Sequence, residues 1–174
     1  MVEFEKEALK FGCKYFIMNG GICLNKSEIE AVENASSMQE LAEVAIRFLR
    51  RVNRGGNKVV EICGPMSTGG LGNFEANMRR FSHVIHMAVE NGYVVFDLPF
   101  FQPAIIRIEN FTEGQTEYNW DILHVFLRRI FESGYIIKGF FLPDWQTSIG
   151  AKWEREEFVR LQIPIEDCPL EWLE

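Results

Sequence analysis

The residue with the clearest chemical signal is Glu154, in the segment 143–154 near the start of a predicted helix. It follows Ala151 by three positions and precedes Phe158 by four, and those apolar residues share one helical face. We therefore expect the carboxylate to point inward, within about the first turn. There the helix dipole stabilises an anion by roughly 0.3–1 kcal/mol. An ionised carboxylate in a cleft suits a nucleophile. Alternatively, Glu154 only complements the dipole.

Ser148 and the backbone amides of residues 149–151 lie where this helix begins. A hydroxyl beside unbonded amide donors forms an anion site suited to a 5′-phosphate. The simpler interpretation is that Ser148 is an N-cap, and both roles are compatible. The neighbouring Glu156 and Glu157 are expected to face solvent.

Asp121 opens the preceding helix and is a candidate for the acid that glycosidic cleavage needs beside a nucleophile. The alternative is an aspartate on the helix surface. The three histidines lie on predicted helices, without the spacing of a Ser-His-Asp triad or a metal site.

A glycine-rich segment, residues 64–72, follows the first apolar strand. Glycines allow the backbone to approach a ribose or phosphate closely. The segment is neither a P-loop, because no Lys-Ser or Lys-Thr follows, nor a dinucleotide fingerprint, because GxGxxG is absent.

These segments are positioned by alternating strands and helices that begin at Lys58. Strands are predicted at 59–63, 93–98, 135–142 and 163–165, and helices at 74–90, 122–133 and 150–161. Residues 99–115 show no clear period and are expected to form a long connection. The alternation predicts a parallel sheet with helices on both faces, and ligands bind beyond the carboxyl ends of such strands.

Residues 1–57 are expected to form a mostly helical N-terminal extension to a domain at 58–174. Asn19-Gly20 suggests a hairpin over residues 15–24. Capping boxes are predicted at Ser27 with Glu30 and at Ser37 with Glu40, and the second opens a helix to about Val52.

The composition of the chain argues against several classes of function. The 174 residues carry a net charge of −7, which argues against binding polymeric nucleic acid. Four cysteines lack CxxC spacing, so no zinc site is expected. No apolar stretch approaches a bilayer span, and no signal peptide is recognisable, so we expect a cytoplasmic protein without membrane contact. Fifteen Phe and four Trp favour a large core, an oligomer interface or both.

The joint pattern resembles the nucleoside 2-deoxyribosyltransferase superfamily over residues 58–166. It is carried by the GPM turn at 64–66, by the loop LPDWQTSIGAKWE at 142–154, and between them by Asn73, Phe81 and Gly92. The nearest branch carries an LPxWxxSxGAxxE loop and is related to deoxynucleoside-monophosphate N-glycosidases. The resemblance implies a flavodoxin-like Rossmannoid three-layer sandwich with a central parallel sheet, in a homodimer or higher homo-oligomer.

The resemblance also implies roles for single residues. Glu154 would attack the sugar C1′, and Asp121 best matches the second carboxylate. The implied substrate-binding residues are Gly64, Pro65, Met66, Ser148, Gly150, Glu61 and Trp145. Glu61 is a departure, because the family often has tyrosine there; an acid at this position would contact base or sugar, or indicate a different substrate.

The expected function is cleavage or transfer at the N-glycosidic bond of a nucleoside or nucleoside 5′-monophosphate, by double displacement without metal or cofactor. A non-catalytic nucleotide sensor on the same fold is the main alternative. A phosphoribohydrolase fits poorly, because residues 69–73 match its glycine loop only in part. A structural protein would instead expose Trp145, Trp153 or Trp172 in a dimer seam.

Overall fold

The computed structural model describes residues 24–66, 69–96, 98–109 and 120–174. The predicted hairpin at 15–24 lies outside this part of the chain, apart from Leu24. The described residues form an α/β structure around one parallel sheet.

The sheet contains four strands in the order β2-β1-β3-β4, and every neighbouring pair is parallel. The strands are β1 (Val59–Cys63), β2 (Val94–Val95), β3 (Ile136–Phe141) and β4 (Ile165–Asp167). The predicted parallel sheet is therefore confirmed. The last strand begins two residues later than predicted, because Pro164 has no amide hydrogen and contributes only its carbonyl, which accepts from Gly139.

Six α-helices accompany the described strands. They are α1 (Lys26–Asn34), α2 (Met38–Arg54), α3 (Phe74–Glu90), α4 (Leu98–Ile108), α5 (Arg128–Glu132) and α6 (Ile149–Leu161). A π-helical segment, Ile122–Leu127, leads directly into α5. The expectation of a connection without regular structure from residue 99 is wrong, because α4 occupies its first part. Its residues are apolar on nearly every side and include Pro103, so no helical period is visible in the sequence.

The N-terminal caps differ from the two predicted capping boxes. Asn25 and Glu28 form the capping box of α1, so the predicted pair of Ser27 with Glu30 is wrong. Ser37 caps α2, and its hydroxyl accepts from the amide of Glu40 at 3.2 Å. The second predicted box is incomplete, because the Glu40 carboxylate accepts from the amide of Ser36 instead of Ser37.

The alternating residues of β1 divide the core between the two faces of the sheet. Val60 and Ile62 pack with α3 on one face, whereas Val59 and Cys63 pack with α2, α5 and α6 on the other. Because α2 belongs to this second core, the described part of the predicted extension is integrated with the sheet. Glu61 shares its side of the strand with Val59 and Cys63.

Candidate active site

A small cavity lies at the carboxyl ends of β1 and β2. Its volume is about 20 Å³, which is room for about one water molecule. It is lined by two carboxyl side chains, Glu61 from β1 and Glu154 from α6, within an otherwise apolar wall. The remaining lining residues are Ile62, Gly64, Met66, Phe81, Ile85, Val95, Phe96 and Leu98.

Helix α6 brings Glu154 to this cavity. The helix begins at Ile149 after the N-cap Ser148, and Ala151 and Phe158 are buried on the same face. The expected inward orientation of Glu154 is confirmed, since only 7% of the residue is exposed. The expected position in the first turn is wrong: Glu154 lies in the second turn, beyond the amide donors of the helix end.

The environment of Glu154 changes its ionisation. Burial raises the pKa of Glu154 to about 7, and a hydrogen bond from the Cys63 thiol opposes this rise. The helix dipole was expected to favour the ionised form of Glu154, but desolvation outweighs a helix end that lies more than a turn away. Near pH 7 the carboxyl group divides between its two protonation states.

Cys63 joins the two carboxyl groups into one cluster. Burial raises the pKa of the Cys63 thiol well above its usual value, and the charges of Glu154 and Glu61 raise it further. The thiol therefore stays protonated at neutral pH and donates to Glu154. Sequence reasoning placed Cys63 in the predicted strand at 59–63 but missed this contact. Its alternation with Glu61 along β1 was the available signal.

Polar contacts connect the glycine-rich loop and α3 with the loop that precedes α6. The hydroxyl of Thr147, in the loop before α6, accepts a hydrogen bond from the amide of Gly70, in the glycine-rich loop, at 2.9 Å. Arg80 from α3 forms an ion pair at 2.6 Å with Asp144, which lies in the loop before α6. The described residues of the two loops therefore contact each other at one edge of the sheet.

A buried asparagine organises the glycine-rich loop. The Asn77 side chain accepts from the Leu71 amide at 2.8 Å and donates to the carbonyls of Met66 and Gly69 at 3.2 and 3.1 Å. Sequence reasoning missed Asn77, which lies inside the predicted helix at 74–90. Gly64 is required by close approach, because a Cβ there would lie 2.6 Å from the Leu142 side chain.

The other predicted site residues do not line the cavity. Ser148 caps α6, with its hydroxyl accepting from the Ala151 amide at 3.2 Å. Pro65 is buried and Gly150 half-buried, both outside the wall. Trp145 lies under the Arg155 guanidinium, whose central carbon is 4.5 Å from the ring centroid.

Asp121 is exposed and also lies outside the cavity wall. The structure therefore unites four of the predicted site residues around one cavity: Glu154, Glu61, Gly64 and Met66.

One of the two expectations about surface glutamates is wrong. Glu157 does not face solvent: 6% of it is exposed, and its carboxylate binds Arg128 and Arg160. Trp153 and Trp172 are buried in the two cores instead of forming an exposed aromatic surface. Glu156 is exposed as expected.

The described ranges contain no cluster of three His, Cys, Asp or Glu residues arranged to hold a metal ion. In the same ranges, no helix has the length and apolar character needed to cross a bilayer. Comparison of the chain with protein-family models, curated proteins and solved structures finds no match.

Proposed function

We propose that this protein cleaves the N-glycosidic bond of a nucleoside or nucleoside 5′-monophosphate, with Glu154 as the nucleophile. The observation that carries the proposal is a buried carboxyl group at a cavity beyond the carboxyl ends of parallel strands, where α/β folds bind ligands. The strand order agrees with the first four strands of the flavodoxin-like order 2-1-3-4-5. The GPM and LPxWxxSxGAxxE motifs, which suggested this chemistry, flank the same cavity.

The environment of Glu154 suits this reaction. Near pH 7 a large share of the side chain is ionised, and few polar groups solvate the charge. Its carboxylate oxygen forms a bond to C1′ as the bond from C1′ to the base nitrogen breaks. A water molecule, or a second base, then displaces Glu154 from C1′.

Substrate access requires an opening of the cavity, since its present volume is far below that of a nucleoside. Met66 and Leu98 are half-buried, whereas the other lining residues are buried. The flexible, unbranched Met66 side chain and the neighbouring Leu98 are therefore the parts of the wall that we expect to move.

A 5′-phosphate would bind at the beginning of α6. Ser148 lies about 9 Å before Glu154 along the helix axis, from the rise of 1.5 Å per residue. The amides of Ile149 and Gly150 precede the first carbonyl bond of the helix, which Lys152 makes to Ser148, and they favour an anion. The Ser148 hydroxyl already accepts from Ala151 and retains its own proton as a donor.

The test is a panel of ribo- and deoxyribonucleosides and their 5′-monophosphates, with released base measured by chromatography. Wild type is expected to release base from at least one member, and Glu154→Gln to reduce this rate at least about 1000-fold. Glu157→Gln is the matched control, because Glu157 is equally buried on the same helix and should leave the rate unchanged. Substantial activity in Glu154→Gln would refute the proposal, and binding without base release would favour a nucleotide sensor.

A further inference from the structure

The second carboxyl group of the cavity has no role in the nucleophilic step. Glu61 is 2% exposed and lines the same wall as Glu154, while the other described lining residues are apolar. A ligand held in this cavity would therefore lie against both carboxyl groups.

The strand geometry places Glu61 close to the nucleophile. Glu61 and Cys63 lie on the same side of β1, about 6–7 Å apart along the strand. The Cys63 thiol donates to Glu154 and also senses the charge of Glu61. One thiol is therefore within electrostatic reach of both carboxyl groups, which line the same cavity.

Cleavage of an N-glycosidic bond needs an acid as well as a nucleophile. The base leaves with the electron pair of the broken bond, and protonation of the base lowers the barrier. Asp121, the candidate from the sequence, is exposed and outside the cavity wall.

We infer that Glu61 is the proton donor to the leaving base, an assignment that rests on the proposed function of Glu154. In the reactive state the pair holds one proton, on Glu61. Glu154 bonds to C1′, the bond from C1′ to the base nitrogen breaks, and the Glu61 proton passes to the base. Glu61, now a carboxylate, then takes a proton from water whose oxygen attacks C1′. The bond between C1′ and Glu154 breaks, and both carboxyl groups return to their starting states.

The surrounding charges are compatible with a single proton on the pair. The charged groups that act on the Cys63 thiol are Glu154, Glu61 and Arg155, and the thiol in turn donates to Glu154. Arg155 lies against the rings of Trp145 and Phe141, at 4.5 and 4.9 Å from their centroids. Two negative charges inside one apolar wall repel each other, which favours one ionised and one protonated member.

The test compares two leaving groups on the sugar of the best panel substrate. One is the natural base, and the other is 4-nitrophenolate at C1′, which departs without protonation. Glu61→Gln is expected to slow base release at least about 100-fold and to leave nitrophenolate release nearly unchanged. Glu154→Gln is expected to abolish both reactions, and Glu157→Gln to change neither.

A second measurement needs no variant and covers the case in which Glu61→Gln does not fold. In wild type, kcat/KM for the natural base should fall at high pH as the donor loses its proton, and the nitrophenyl substrate should lack this limb. Equal losses on both substrates in a folded Glu61→Gln, or identical high-pH limbs in wild type, would overturn the assignment. If Glu154→Gln alone is inactive, the proposed function stands and only the role of Glu61 fails. If wild type releases neither leaving group, both fail.

Discussion

Helix α6 carries two buried glutamates that are three residues apart and behave in opposite ways. Glu154 is 7% exposed and Glu157 6%. Burial raises the pKa of Glu154 to about 7. Burial also acts to raise the pKa of Glu157, but hydrogen bonds and charge from Arg160 and Arg128 outweigh it and hold that pKa below its usual value.

The partners of the two carboxyl groups differ, and Glu154 also lies deeper in the protein than Glu157. Glu157 binds the guanidinium groups of Arg160 and Arg128, at 2.6 and 3.2 Å. Glu154 faces a weak thiol donor and a second acid. A paired buried carboxylate belongs to the structural framework, whereas one left in an apolar wall reduces stability and marks a functional candidate. Equal exposure therefore conceals opposite roles, and measurements on both residues can separate them.

The largest expected effect is a gain of stability on removing the Glu154 charge. The folded pKa lies above the unfolded value, so the native state binds the extra proton and wild type loses stability as pH rises from about 4.5 to 7. Glu154→Gln has no such loss. Relative to wild type, its free energy of unfolding should rise by about 3 kcal/mol between pH 4 and pH 8. Urea unfolding across this range measures the difference; a difference independent of pH would contradict the assigned environment.

Glu157→Gln should show the opposite sign and the opposite pH dependence. Its folded pKa is lowered, so its stabilisation is present above the unfolded pKa and disappears as pH falls through the folded one. Side chains of Arg128 and Arg160 are 38% and 48% exposed, so solvent screening limits the effect. We expect a loss of about 1–2 kcal/mol at pH 7, which becomes smaller as the pH falls through the folded pKa of Glu157.

Arg129→Gln is the matched control for that ion pair. Arg129 and Glu43 are 3.5 Å apart, with side chains 46% and 62% exposed. This change should alter the free energy of unfolding by less than about 0.5 kcal/mol. If Arg129→Gln destabilises the protein as much as Glu157→Gln, burial of the carboxylate does not strengthen the ion pair of Glu157.

The same comparison marks the limits of sequence reasoning. The spacing to Ala151 and Phe158 was sufficient to predict that Glu154 faces inward, because helical period is a local property. Ionisation depends on partners from distant segments: Cys63 reaches Glu154 from β1, and Arg128 reaches Glu157 from α5. Spacing within α6 contains neither contact.

The elements of the fold were likewise predicted where a local sequence pattern defines them. Strand β1 was predicted at its observed bounds, because an apolar run of that length between polar or glycine neighbours is a local pattern. Helix α4 was missed, because its apolar residues surround the helix and leave no period. The preference for Asp121 over Glu61 as the acid had a similar cause: only the packing of α6 against β1 brings Glu61 to the cavity of Glu154.

The smallest expected effect concerns the Cys63 thiol, which donates a hydrogen bond to Glu154. The hydrogen bond from Cys63 lowers the pKa of Glu154, so Cys63→Ala should raise it further, by less than about one pH unit. Lost packing also destabilises this variant, but that part is independent of pH. The informative quantity is therefore a difference in unfolding free energy, measured between Cys63→Ala and the double variant Cys63→Ala with Glu154→Gln. The pH midpoint at which this difference appears should be higher than the midpoint found for wild type and Glu154→Gln.

Two further variants decide what such a shift means. Cys63→Ser keeps a donor and should return the midpoint toward the wild-type value. Cys168→Ala removes a buried thiol from the other core and should leave it unchanged. A midpoint that does not change in Cys63→Ala would contradict the assigned hydrogen bond and show that burial alone sets the ionisation of Glu154. The contrast with Glu157 would then rest on burial and on the arginines.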